Sequence, residues 1–165
     1  MTERLTPLAA RAADALIATN ATIAVSESST GGLIAAALVA IPGASRFFVG
    51  GSVIYSLPSR RELLRIRRTD VEGLTPMSEA MVLRFAEHAR AQLATTWAIA
   101  ELGVAGPTDS PYGHAAGTCV IGIAGPKPHS LQIDTGSTDR EANMWRFTEQ
   151  ALQALSKTIS AHSAA

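Results

Sequence analysis

An apolar run, residues 21–25, passes through Ser26-Glu27-Ser28-Ser29-Thr30 and Gly31-Gly32 into the strongly helical residues 33–41. No other stretch constrains the fold as much. A short apolar run bounded by turn residues reads as a strand buried on both faces, which needs helices on both sides of its sheet. A strand feeding a helix through such a turn presents backbone N–H groups at the helix N-terminus. Those donors and the helix dipole suit a phosphate, a carboxylate or a developing oxyanion. Gly31 and Gly32 allow a sharp turn and close approach of a ligand. A plain N-cap accounts for one hydroxyl; it does not call for three, with an acid and two glycines. The hydroxyls are therefore candidates to cap the helix, bind a ligand or attack one.

The rest of the chain extends the pattern. Leu5, Leu8, Ala9, Ala12, Ala13 and Leu16 fall at helical spacing over residues 5–18, and Asn20 supplies a stop. Residues 47–55 read as a second strand, with Gly50-Gly51 marking a bulge or a close backbone approach. Residues 60–68 hold Arg60, Arg61, Arg65, Arg67 and Arg68. They read as a solvated helix face or, alternatively, as an anion-binding patch led by Arg60. Thr75-Pro76 predicts the start of a helix to about Leu93, with Met77, Met81, Phe85 and Ala89 as a core stripe. Residues 97–104 form a third strand, and residues 105–114 a loop of the length that is often functional. Residues 117–124 and 130–135 read as a hairpin. Thr138 to Glu141 forms a capping box that opens the last helix, with the tail past Ser160 frayed. This order predicts one domain over residues 1–165, a three-layer α/β/α sandwich with a mixed, mainly parallel sheet of about five strands. Ligands gather at the carboxyl ends of strands in such sheets. Here those ends are residues 27–30, Tyr55-Ser56 and residues 104–108.

Composition removes several functions. Formal net charge is zero, unlike a chain dominated by nucleic-acid binding. Cys119 is the single cysteine, so no internal disulfide forms, and a reducing, cytoplasmic setting is expected. Its apolar neighbours make it a buried, inert thiol. No run is long enough for a membrane span, and the N-terminus lacks a signal-peptide core. The four histidines have no ligand spacing, so no metal site is expected. Nucleotide P-loop, Gly-x-Gly-x-x-Gly and Gly-x-Ser-x-Gly motifs are missing.

Three stretches occur in a telling order: Glu27-Ser28-Ser29-Thr30-Gly31-Gly32, then Gly51-Ser52-Val53-Ile54-Tyr55-Ser56-Leu57 followed by Arg60, then Gly103-Val104-Ala105-Gly106-Pro107 with Gly117-Thr118 beyond a loop. Together they resemble the CinA C-terminal domain family, which includes nicotinamide mononucleotide (NMN) deamidases. The last helix opens on Asp139-Arg140, as in that family. The resemblance implies amide hydrolysis, NMN and water giving nicotinic acid mononucleotide and ammonia, with no cofactor and in a homo-oligomer. It places Ser28 as the nucleophile and Tyr55 as a positioning or proton-shuttling group. Glu27, Ser29, Thr30, Gly31, Gly32, Arg60, Gly103, Ala105, Gly106, Thr108 and Arg140 would bind the substrate.

The chain also departs from the family pattern. Ser29 replaces a cysteine, Leu57 an asparagine, and Arg60 the lysine that would take the serine proton. Of the arginines usual in the last helix, Arg146 remains, slightly displaced. A guanidinium stays protonated and cannot act as base, although it binds anions well. Two readings follow. One is an amidohydrolase in which Tyr55, Glu27 or a water replaces the lysine. The other is a CinA-like domain that binds a nucleotide, another anion or a partner protein without turnover.

Overall fold

The structure, a computed structural model, describes residues 2–163. Strands β1 (Ile23–Glu27), β2 (Phe48–Val53), β3 (Trp97–Gly103), β4 (Thr118–Ala124) and β5 (His129–Asp134) form one sheet in the order β2-β1-β3-β4-β5. β1 pairs in parallel with β2 and β3, while β4 runs antiparallel to β3 and β5. Only β4 therefore opposes the common strand direction. Helices α1 (Thr2–Ala18), α2 (Leu33–Val39) and α5 (Arg140–Ser163) cover one face; α4 (Glu79–Leu93) covers the other, joined there by Leu64 and Ile66 just beyond the short helix α3 (Leu57–Leu63).

Alternation along the strands divides the core in two. Ile23, Val25, Trp97, Ile99, Cys119, Ile121 and Ile123 face α1, α2 and α5. Ala24, Ala98, Ala100, Leu102, Val120 and Ala124 face α4. The α4 side is built from small residues, so that helix lies close to the sheet. At Gly122 a Cβ would fall 2.8 Å from the Leu83 backbone nitrogen, a distance no side chain tolerates.

The strand order brings three loops together. The chain leaves β1 for β2 on one side, then returns to lay β3 on the other. The carboxyl ends of β1 and β3 therefore diverge at a switch point, where α/β sheets form their ligand crevices.

Several boundaries differ from the sequence expectation. β1 runs two residues further, because Ser26 and Glu27 find buried places that hydrophobicity alone does not signal. The Ile23/Ala24 register shift against β2 is the irregularity expected beside Gly50. The arginine run is not one helix face: α3 ends at Leu63, and Arg65 adopts a left-handed φ of 54°. α4 opens at Glu79 rather than Thr75, because Ser78 Oγ accepts from Met81 N at 3.2 Å and Met77 has a left-handed φ of 54°. Met77 therefore leaves the stripe on which Phe85 and Ala89 are buried. α5 is capped by Asp139, whose Oδ1 accepts from Ala142 N at 3.0 Å, and not by Thr138. The helix continues to Ser163, where His162 packs edge-on against Trp97 at 5.7 Å between ring centres.

Candidate functional site

The turn after β1 is built around two buried acids. Glu27 Oε2 accepts from Gly32 N and Ile34 N, both at 3.0 Å, and Oε1 accepts from Ala35 N at 2.8 Å. The carboxylate of Glu27 thus caps α2, the task the sequence assigned to a hydroxyl or a ligand. Gly31 and Gly32 adopt left-handed φ values of 63° and 103°, which carries the chain around that carboxylate.

Glu101 is the counterpart on β3, fully buried. Its Oε2 accepts from Ser28 N at 3.1 Å and Thr30 N at 3.0 Å. Its Oε1 accepts from the Ser29 hydroxyl and lies 3.7 Å from Cys119 Sγ. Thr30 Oγ1 bridges the acids, 2.7 Å from Glu27 Oε2 and 2.9 Å from Glu101 Oε2. A hydroxyl has one proton to give, so the second contact is satisfied only when one acid carries a proton. Burial, more than any other influence, pushes Glu27 above the ordinary carboxylate range; the negative charge of Glu101 acts in the same direction, against the hydrogen bonds from Ala35, Thr30 and Ile34. Burial, with Glu101 alongside, also pushes the Cys119 thiol well up, leaving it inert as expected.

Above this turn opens a cavity of about 400 Å³. Of the residues singled out from sequence, Ser28, Ser29, Tyr55, Arg60, Gly103, Ala105, Gly106, Thr108 and Arg140 line it. Glu27, Thr30, Gly31 and Gly32 do not. The α2 amides assigned to a ligand are taken by Glu27, and Thr30 is wholly buried beneath the floor. Glu27 is likewise unavailable as a replacement base.

The side walls are charged. Arg140 donates from Nη1 to the Gly106 carbonyl at 2.6 Å and from Nη2 to the Tyr55 hydroxyl at 3.0 Å, joining the loops that follow β2 and β3. Arg60 donates to the Ile54 carbonyl at 3.4 Å and rests over the Phe85 ring at 5.5 Å. Burial works against its charge, while Tyr112 and Glu101 favour it. Asn143, fully buried, donates to the Ala105 and Ser137 carbonyls, both at 2.8 Å, and so ties the β3 loop to α5. Asp109 and Ser110 hold the long loop internally, through Ala116 N and His114 N. His114 Nε2 lies 3.0 Å from the Pro76 carbonyl. That contact joins the stretch bearing Tyr112 to the one bearing Met77, and both residues reach the cavity. Among the described residues, no group of three or more His, Cys, Asp or Glu could hold a metal ion. No helix there is long and apolar enough to cross a membrane.

The CinA C-terminal domain family matches residues 5–159. The chain belongs to that family. A CinA-like protein of Salinibacter ruber is 33% identical over 147 residues, covering 89% of this chain and 36% of that protein. One from Gloeobacter violaceus is 34% identical over 154 residues, covering 92% and 36%. The chain thus spans about a third of the length of the curated relatives it matches. The crystal structure of competence damage-inducible protein A from Klebsiella pneumoniae superposes with a TM-score of 0.87 at 30% identity, covering 96% of this chain and 98% of that one.

Among the cavity's lining residues the sequence reading missed Met77 and Tyr112, and behind the lining it missed the buried Glu101 and Asn143. Only Glu101 carried a local signal: one carboxylate inside an otherwise apolar strand must find hydrogen-bond donors. Met77 and Tyr112 reach the site through loop geometry, and Asn143 through the first turn of α5. Ser28, the nucleophile by motif, is bonded through its N–H to Glu101, while its hydroxyl meets no hydrogen-bonding partner among the described residues. Ser29 is the cavity-facing serine whose hydroxyl is held by an acid.

Proposed function

We propose that this CinA-family chain hydrolyses the carboxamide of a small anionic nucleotide of the NMN type, releasing ammonia through a serine hydroxyl at the cavity floor. The observation that carries the reading is the placement of Ser28 and Ser29 beneath Arg60 and Arg140 in one cavity. The guanidinium groups suit a ligand phosphate or carboxylate. The floor offers the hydroxyl that amide cleavage needs. Arg140 holds Tyr55 and the Gly106 carbonyl in fixed positions, so the opening is shaped before a ligand arrives. The backbone N–H groups of Ala105 and Gly106 have no acceptor among the described residues and are available to an oxyanion. Leu57, largely exposed at the rim, offers an apolar surface to the flat face of a ring.

One observation favours a second reading. Arg60 cannot take a proton, so a cavity relying on that position for its base would bind the nucleotide without turning it over. Ammonia release from NMN by the purified chain, beside a melting-temperature shift with NMN, separates the two. Release supports the hydrolase; a shift without release supports the binding domain; neither overturns both.

A further inference from the structure

We propose that Ser29 and Glu101 form the catalytic pair of this cavity, Ser29 attacking an acyl carbon and Glu101 taking its proton. The choice of a carboxamide as substrate rests on the amidohydrolase reading above; the pair itself rests on geometry.

The Ser28 hydroxyl meets no acceptor, whereas the Ser29 hydroxyl donates to Glu101 Oε1, and residue Ser29 is part of the cavity lining. A nucleophile hydrogen-bonded to a base that is itself oriented by other groups is the arrangement nucleophilic catalysis uses. Glu101 is oriented on its far side: the Ser28 and Thr30 amides and the Thr30 hydroxyl all approach Oε2. Oε1 is left to Ser29, with Cys119 Sγ at 3.7 Å as its other neighbour. Gly103 leaves room for the pair, since a Cβ there would fall 2.8 Å from Glu101 Oε1 and from the Phe147 ring. The other polar groups of the cavity suit a base poorly. Arg60 and Arg140 are cations, and the Tyr55 oxygen already accepts from Arg140.

The steps balance. The Ser29 Oγ–H proton passes to Glu101 as Oγ bonds to the carboxamide carbon, and the carbonyl electron pair moves onto oxygen. Collapse breaks the C–N bond while Glu101 returns the proton to nitrogen, and ammonia leaves. Water then attacks the serine ester and gives a proton to Glu101. The C–Oγ bond breaks, Glu101 reprotonates Oγ, and the acid is released.

The test uses the full chain with a fluorophosphonate probe, which forms a stable bond to an activated serine by expelling fluoride, and locates the adduct by peptide mass spectrometry. The expected adduct is on Ser29. Glu101→Gln should slow labelling about 100-fold or more, as loss of a general base does. Glu101→Asp should restore part of that rate. Should Glu101→Gln fail to fold by circular dichroism, the wild-type adduct position still decides. An adduct on Ser28, an adduct on no serine, or a folded Glu101→Gln that labels at the wild-type rate overturns the pair. Ammonia release from NMN with the adduct on Ser28 would leave the amidohydrolase standing without the pair. Labelling of Ser29 with no ammonia from NMN would leave the pair standing without that substrate.

Discussion

Replacing Glu27 with alanine removes the acceptor for three amides at the start of α2 and for the Thr30 hydroxyl. The Ile34 amide is buried and has no other acceptor nearby, which costs about 1–3 kcal/mol. Gly32 and Ala35 are partly exposed, so water can serve them, and their share is nearer the ~1 kcal/mol of an ordinary lost cap. A total of about 3 kcal/mol follows, a large part of the ~5–15 kcal/mol that holds such a domain together. At this chain length that lowers the melting temperature by about 6–12 °C. The loss should also depend on pH in a definite direction. Burial raises the Glu27 pKa from its ordinary 4.5, so the folded state binds the proton more tightly than the unfolded chain. Its contribution is complete below about pH 4.5 and declines as pH rises through the folded value. The deficit of Glu27→Ala should therefore be larger at pH 5 than at pH 8. Urea unfolding followed by circular dichroism at both values measures it. A loss under about 0.5 kcal/mol, or a deficit that grows with pH, would refute the reasoning.

Three further outcomes are expected. Gly103→Ala places a methyl against Glu101, Ser29 and Phe147; it should cost about 1–3 kcal/mol by overpacking and suppress serine labelling, and an unchanged melt would show that the pair has slack. Arg60→Lys loses the planar fork and should weaken NMN binding, read by calorimetry, without raising kcat; a tenfold rise in kcat would assign the base to that position instead. The chain is expected to self-associate along β2, an edge strand with Val49 and Val53 exposed; a monomeric mass by light scattering at working concentration would sink this.

The α/β sandwich was legible because hydrophobic period and turn residues are local. The short apolar runs that form β1 and β3, the Gly31-Gly32 turn, and the long apolar stripe of α5 each declare themselves within a few residues. The meeting of Ser28, Tyr55 and Gly106 was legible too, because parallel strands align their carboxyl ends. Boundaries were less so. Thr75-Pro76 looks like a helix start, but Ser78 offers the better cap and wins.

What the sequence alone determined is the order of layers and the family motifs, both written in neighbouring residues. What only the tertiary structure decided is the division of labour between the two acids. Glu27 and Glu101 stand far apart in the chain, and neither residue type nor spacing says which serves α2 and which serves a serine. The contacts of Glu101 with residues 28–30 span 71 to 73 positions. A buried carboxylate must find its donors wherever folding puts them. Here β3 lies beside β1, and that pairing turned an acid in an apolar strand into the partner of Ser29.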